Sequence, residues 1–270
     1  MKKYNISPAL KGLIPYINSQ SYSIDLIKSK NISWHTCTPK SGSSSWDLFI
    51  SKVLQSKKIK VKKFGPVPMY ENRDQFPCPY HISKQLRFSN KNLYFSTHQH
   101  TSATEDFLRI LSKNHIITCQ TRSILDTIIS LVNYIDKEIF KMYFSPAAHL
   151  YWHKFSSQEK IEHIVLTYLP RHIQYLQTWI NASEYWDVKF IYYDDVVNNP
   201  AKIFNKVYSK WNLSISNEEF IENNSTLPRV KIDKGVSGAG RKLIPNNMIE
   251  RIGSIIEDMD KLDQSIIKFM

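Results

Sequence analysis

Cysteine is scarce in this sequence of 270 residues. The three cysteines are Cys37, Cys78 and Cys119, and none of them forms a C-x-x-C pair. An odd number of thiols without that spacing argues against a disulfide framework and against a structural zinc site. His149 and His153 lack the H-E-x-x-H pattern and a third ligand, so they do not predict a metal site either. We therefore expect no metal.

Long apolar runs are also missing. No stretch approaches the roughly 20 consecutive apolar residues that a membrane-spanning helix needs. The first 13 residues carry Lys2, Lys3 and Lys11 and contain neither a long apolar segment nor a small-residue cleavage site, which argues against a secretion signal. We expect a cytoplasmic protein with no membrane partner.

The content of hydrophobic and basic residues is typical of a basic globular protein. Hydrophobic residues make up 42% of the chain and the formal net charge is +12. The charge is uneven, because the first 63 residues hold 12 lysines against Asp25 and Asp47, a balance of +10. This excess indicates either an anionic ligand near the N-terminal part or a solvated lysine face, particularly over residues 57–63.

Hydrophobic periodicity and chain breakers predict alternating strands and helices. The predicted strands are 31–37, 93–97, 115–121 and 188–192, and the predicted helices are 44–55, 103–111, 123–139, 200–211, a short one at 217–223 and a last one at 245–267. Residues 158–180 also have apolar side chains at helical spacing. This order is typical of one α/β domain over residues 1–270, with a parallel sheet flanked by helices and ligands at the carboxyl ends of its strands.

The stretch Pro39-Lys-Ser-Gly-Ser-Ser-Ser-Trp46 lies between the first predicted strand and the following helix. Gly42 lets backbone amides approach an anion, the helix N-terminus adds unpaired donors, and Lys40 adds positive charge. A serine-rich helix cap is the alternative interpretation. The order of residues is not that of a Walker A motif, since the lysine precedes the glycine.

This loop resembles the P-K-S-G-T-T-W loop of sulfotransferases that use 3'-phosphoadenosine 5'-phosphosulfate (PAPS). The resemblance implies that the 5'-phosphosulfate is cradled by the loop residues Lys40, Ser41, Gly42, Ser43, Ser44 and Ser45. It also implies a catalytic role for Lys40 at the leaving phosphate. One extra serine precedes Trp46, so we expect that tryptophan to pack in the core rather than stack on adenine.

Three further segments resemble the same family in the same order. Arg122 to Ser130 is similar to R-N-P-K-D-V-A-V-S, which implies that Arg122 and Ser130 bind the 3'-phosphate, whereas Asp126 is explained by the helix dipole. Tyr193, at a predicted strand end, matches the tyrosine that contacts adenine, with core packing as the alternative. The last segment, from Lys234 to Arg241, resembles the late R-K-G-x-x-G-D-W-K loop, which implies that Lys234, Gly235 and Arg241 contact the 3'-phosphate.

The general base is expected from the segment Thr97-His-Gln-His100. Thr97-His98 resembles the T-H element of the family, whose histidine deprotonates the acceptor, and the imidazole pKa near neutrality suits that task. His100 and Glu105 are the alternatives.

The resemblance covers residues 31–241 and implies a P-loop NTPase-like fold, PAPS as cofactor, PAP (adenosine 3',5'-bisphosphate) as product and transfer of the sulfuryl group to a hydroxyl or amine. The acceptor is unidentified, with a carbohydrate or a small phenol or alcohol as candidates, and the oligomeric state is open. Two other classes are a nucleotide-type kinase and a non-catalytic polyanion-binding protein, the latter suggested by the sequence pI of 9.4. We expect no nucleic acid partner.

Overall fold

The computed structural model describes residues 23–64, 82–83, 86, 93–96, 99–138, 151–216, 218–219 and 237–259. Within these residues, one sheet of parallel strands has the order β2-β3-β1-β4-β5. The strands are β1 (Asn31–Cys37), β2 (Val61–Phe64), β3 (Leu93–Ser96), β4 (Ile116–Thr121) and β5 (Val188–Tyr192). β1 is central, so its two neighbours bury it on both edges.

Among the described residues, helices lie between the strands and pack on both faces of the sheet. They are α1 (23–28), α2 (Ser43–Ser56), α3 (Glu105–Leu108), α4 (Ile124–Glu138), α5 (Ser157–Thr167), α6 (Leu169–Ser183), α7 (Tyr193–Asn198), α8 (Pro200–Tyr208), α9 (Ala239–Leu243) and α10 (Asn246–Met259). Parallel strands require such crossovers, because a short hairpin turn reverses the chain direction.

Two hydrophobic clusters lie on opposite faces of the sheet. On one face Trp34 of β1 packs edge-on against Phe107, whose ring in turn meets Trp179 of α6. On the other face Trp46 of α2 packs beside Phe49. Trp46 is fully buried, which confirms the prediction that it is a core residue.

The register places three strand ends at one edge of the sheet. Cys37 of β1 is paired with Gln120 of β4, and Thr121 of β4 is paired with Tyr192 of β5. The residues that follow these strands therefore meet at the carboxyl edge, where ligands bind in open parallel sheets.

The predicted α/β order is confirmed, with differences in individual elements. Strand β2 begins inside the lysine-rich stretch 57–63, so part of that stretch is an edge strand of the sheet. Residues 157–183 form two helices, α5 and α6. The late segment, predicted as a loop, becomes helical at Ala239. Most of the helix predicted at 217–223 and the end of the last helix, beyond residue 259, lie outside the described residues.

Candidate functional site

The loop after β1 is fixed to the neighbouring strand by Gln120. The backbone N–H of Thr38 donates to the carbonyl oxygen of Gln120 at 2.9 Å, and Gln120 Nε2 donates to the carbonyl oxygen of Ser41 at 2.6 Å. Ser41 Oγ turns inward and donates to the Thr38 carbonyl at 2.7 Å. Lys40 has a φ of 62° and Gly42 a φ of 81°, so the chain makes two left-handed steps before α2 begins. The loop thus has a defined shape.

Helix α2 begins without a side-chain cap among the described residues. Its N-cap is Gly42, and its first turn contains Ser43, Ser44 and Ser45 with no acidic residue. The first amide groups of a helix have no intrahelical acceptor, and the helix dipole makes this end positive. An anion placed here would meet backbone donors and the hydroxyl groups of the serines.

Tyr193 closes the loop from the end of β5. A Cβ atom on Gly42 would lie 2.9 Å from two carbons of the Tyr193 ring, which is closer than such atoms approach. Tyr193 is 8% exposed, and burial raises the pKa of its phenol. Glycine is therefore required at position 42 both for its positive φ and for the contact with this ring.

Arg122 follows β4 and is nearly buried, with 9% of its surface exposed. Its guanidinium carbon lies 4.3 Å from the centre of the Tyr193 ring, and its Nε is 3.7 Å from Asp126 Oδ2. Nε finds no hydrogen-bond partner among the described residues. The Asp126 carboxylate balances the charge of Arg122, but a buried donor without a hydrogen-bond acceptor is costly, which makes Arg122 the best indication of a ligand.

Lys40 extends toward helix α4. Its Nζ lies 4.3 Å from the centre of the Tyr134 ring, a cation–π distance. Tyr134 is one helical turn from Ser130, which is half-buried on the same helix. The structure therefore brings Lys40 close to the part of α4 that carries Ser130.

The late segment reaches the same helix. Asp126 accepts hydrogen bonds from the backbone N–H groups of Gly238 and Gly240, and Ser237 Oγ donates to Asp194 Oδ2 at 2.9 Å. Arg241 directly follows Gly240 and is exposed.

The three candidate bases differ in what the structure shows. His98 lies outside the described residues, as do Lys234 and Gly235. His100 Nδ1 lies 2.8 Å from the carbonyl oxygen of Cys37, so Nδ1 donates and Nε2 is the basic nitrogen of the neutral ring. Glu105 is on the surface, where its carboxylate pairs with Arg109 at 2.6 Å.

Two features of this edge were missed by the sequence analysis. Gln120 shapes the loop through a contact that no local pattern signals. The Asp126 carboxylate, explained from sequence by the helix dipole, holds the late segment as well. The signal for this second contact was the unusual pair of glycines at 238 and 240.

Solved structures with known ligands share this architecture. Mouse sulfotransferase SULT7A1 complexed with PAP matches with a TM-score of 0.59 and 12% identity, over 93% of this chain and 94% of that one. Retinol dehydratase matches in complex with androsterone and inactive cofactor PAP (TM-score 0.57, 13% identity) and in complex with retinol and PAP (TM-score 0.53, 13% identity). In both cases 92% of this chain and 86% of that chain are covered. The chain has the sulfotransferase fold.

Sequence comparison alone does not find this likeness. No model of a known protein family matches the chain, and no curated protein matches it. At 12–13% identity, the likeness to sulfotransferases is seen in the three-dimensional structure and in a few short motifs, and not in the sequence as a whole.

The described residues lack two kinds of feature. None of their helices combines the length and the hydrophobicity of a membrane-spanning segment. No three of their histidine, cysteine or acidic side chains lie together in a way that could hold a metal ion.

Proposed function

We propose that the protein is a single-domain, PAPS-dependent sulfotransferase that transfers the sulfuryl group to a hydroxyl or amine of an acceptor. The observation that carries the proposal is the buried Arg122, whose Nε has no hydrogen-bond partner among the described residues, beside an uncapped helix N-terminus in a sulfotransferase fold. Since the neighbouring structures contain PAP, the anion that fits these donors is a nucleotide phosphate.

The proposed PAPS-binding site has two parts, one for each end of the nucleotide. At the 5' end, the amides of α2, the hydroxyl groups of the serines at 43–45 and the Lys40 ammonium bind the phosphosulfate. Ser41 contributes by shaping the loop, since its hydroxyl donates to the Thr38 carbonyl. At the 3' end, Arg122 and Ser130 bind the terminal phosphate, together with Lys234, Gly235 and Arg241 from the late segment. Tyr193 contacts the adenine in this proposal, and its ring is held in place beside Gly42 and 4.3 Å from the Arg122 guanidinium carbon.

PAPS supplies an activated sulfuryl group and leaves as PAP. The residues of the chain stabilise the charge that develops on the leaving phosphate, and preorganised donors at a helix N-terminus together with Lys40 suit that task. A base accepts the proton of the attacking hydroxyl. We assign it to His98, with His100 as the second candidate, because the Glu105 carboxylate is already paired at the surface.

The acceptor remains a hydroxylated compound of unknown identity. Retinol dehydratase, one of the structures with this fold, was solved with androsterone and with retinol. A small alcohol or phenol is therefore supported by that likeness, and an acidic carbohydrate is supported by the excess of lysine in the first 63 residues.

A transfer assay with ³⁵S-labelled PAPS tests the proposal. The purified protein is incubated with pools of phenols, alcohols and glycans, and label or mass is followed into the acceptor. We expect transfer by the wild type and loss of turnover in Lys40→Ala, because one cation at the leaving group is removed. Lys202→Ala, which removes an exposed lysine of α8, is the control and should remain active.

The same assay separates the two histidines. His98→Ala should bind PAP as the wild type does and lose at least about 100-fold in rate, the range for a general base. An active His98→Ala enzyme combined with an inactive His100→Ala enzyme would move the role to His100. If no acceptor class is labelled and PAP does not bind, the proposed function is wrong.

A further inference from the structure

Asp126 is a buried carboxylate with an unusual set of partners. It lies in the first turn of α4, four residues after Arg122, and is 2% exposed. Its hydrogen-bond donors are 112 and 114 residues further along the chain. A carboxylate needed only to balance the helix dipole would not have to reach so far.

Each carboxylate oxygen accepts one backbone amide. Oδ1 lies 2.7 Å from the Gly240 nitrogen, and Oδ2 lies 3.0 Å from the Gly238 nitrogen. Hydrogen bonds to an ionised acceptor are stronger than neutral ones, and two together fix both position and orientation. They also offset the cost of burying the charge.

Gly240 allows this contact because it has no side chain. A Cβ there would lie 2.3 Å from the carbonyl carbon of Leu125 and 2.6 Å from the backbone nitrogen of Asp126. The backbones of α9 and α4 therefore touch directly. Gly238, with a φ of 77°, supplies the left-handed step that turns both amides toward the carboxylate.

The arrangement leaves Arg122 available. Its Nε is 3.7 Å from Asp126 Oδ2, which is too long for a hydrogen bond, and has no other partner within the described chain. The Asp126 oxygens are directed to the glycine amides, while the charge of the carboxylate still stabilises the nearby guanidinium. Arg122 thus keeps a donor for a ligand.

We propose that Asp126 is a positioning residue that holds the segment Ser237–Arg241 against α4 beside Arg122, and so completes the subsite for the 3'-phosphate. This inference rests on the proposed function, since it assigns the 3' end of the same nucleotide. Asp126 does not contact the ligand; it acts through the position of the late segment.

The test compares two nucleotides that differ only in the 3'-phosphate. Binding of PAP and of adenosine 5'-phosphate is measured by calorimetry for the wild type and for Asp126→Asn. The wild type should prefer PAP. In Asp126→Asn, PAP should bind about tenfold more weakly, the effect of losing hydrogen bonds to a charged group, while adenosine 5'-phosphate binds within about twofold of the wild type. In the transfer assay the KM for PAPS should rise while kcat at saturating PAPS stays the same.

Asp136→Asn is the matched control. Asp136 is an exposed aspartate on the same helix, and its Oδ1 accepts from Lys160 Nζ at 2.7 Å and from Trp152 Nε1 at 2.8 Å, bonds that an asparagine oxygen can still accept. This variant should keep the wild-type preference for PAP. Gly238→Ala is a milder second variant, because a Cβ there meets no described atom within 4 Å and only the positive φ is strained. It should lower the PAP preference by about fivefold.

Hydrogen exchange in the ligand-free protein measures how firmly Asp126 holds the Gly238 and Gly240 amides when no nucleotide is present. The amides of Gly238 and Gly240 should exchange faster in Asp126→Asn than in the wild type and in Asp136→Asn. Unchanged exchange, or an equal loss of affinity for both nucleotides, would overturn the inference. A wild type that binds neither nucleotide but shows the exchange difference would instead contradict the proposed function.

Discussion

His115 is buried ahead of β4, and its two ring nitrogens have opposite roles. Nδ1 accepts from Trp34 Nε1 at 3.0 Å and from the backbone N–H of Ser112 at 3.2 Å, so Nε2 carries the proton and donates to the carbonyl oxygen of Ile27. Burial lowers the pKa of His115 to about 4, and the charges of Lys210 and Lys28 contribute. A second proton would have to go on Nδ1, where it faces two donors.

This geometry predicts a loss of stability in mild acid. Because the pKa of the folded state is lower than the unfolded value of about 6.5, the unfolded chain binds the proton more tightly. The contribution of His115 to the free energy of unfolding is complete above pH 6.5 and is lost as the pH falls toward 4. By pH 5 the loss amounts to about 2 kcal/mol. Urea unfolding at pH 7 and pH 5 measures the difference.

His115→Asn should be less stable than the wild type at pH 7 but less sensitive to acid, since it keeps an acceptor for Trp34 and cannot titrate. His153→Asn, at an exposed position, is the control and should show the wild-type pH dependence. Equal acid sensitivity of His115→Asn and the wild type would contradict the assignment.

At the scale of elements, the join between β1 and α2 depends on one glycine. Gly42→Ala places a Cβ at a φ of 81° and against the Tyr193 ring. We expect it to destabilise the protein by about 2 kcal/mol and to weaken PAP binding, because the loop and Tyr193 must separate. Gly253→Ala, within α10, meets no described atom within 4 Å and should stabilise by up to about 1 kcal/mol through helix propensity.

Urea unfolding and calorimetry with PAP measure both variants side by side. Equal behaviour of the two variants would show that neither the backbone conformation nor the tyrosine contact matters at position 42.

The elements that could be predicted are those with a strong local pattern. Strand β1 and helix α2 follow from a short segment in which Ile32 and Trp34 alternate with polar residues and from the glycine-containing turn after it, and the structure places them within one residue of the expected bounds. Strand β2 could not be predicted, because it has only four residues and the two central ones are lysines. It lies at the edge of the sheet, where charged residues are common and the alternating apolar pattern of a buried strand is absent. The break between α5 and α6 comes at Tyr168, just before Pro170 in the first turn of α6.

The candidate site was predictable where each residue follows a strand. Lys40, Arg122 and Tyr193 come after β1, β4 and β5, and the parallel register brings them to one edge. The strand order and the contact of Asp126 with Gly240 were not predictable, since they depend on pairs of segments far apart in the sequence.

At the scale of the whole molecule, a net charge of +12 is compatible with two modes of anion binding: a specific nucleotide site, or a surface of many lysines that binds polyanions. A specific nucleotide site stabilises the folded state by mass action, by about 2.7 kcal/mol when PAP is present at 100 times its Kd. We expect PAP to raise Tm by about 5 °C, and ATP with magnesium to leave it unchanged. A shift with ATP and magnesium but not with PAP would favour a kinase.

Arg122→Ala should lose most of the PAP-dependent shift, whereas Arg251→Ala, which removes an exposed partner of Glu162, should keep it. A non-catalytic polyanion-binding surface behaves differently, because its affinity falls steeply with salt and is spread over many lysines. Equal shifts in the two arginine variants would favour that surface.

The contact between α4 and α9 also sets an order of assembly during synthesis. The five strands that the structure describes are complete once residue 192 has been made, but Asp126 must wait for residues 238 and 240 before its oxygens are satisfied. In the growing chain these strands can therefore pair before the segment Ser237–Arg241 exists, and the subsite proposed for the 3'-phosphate can form only after that segment has been made.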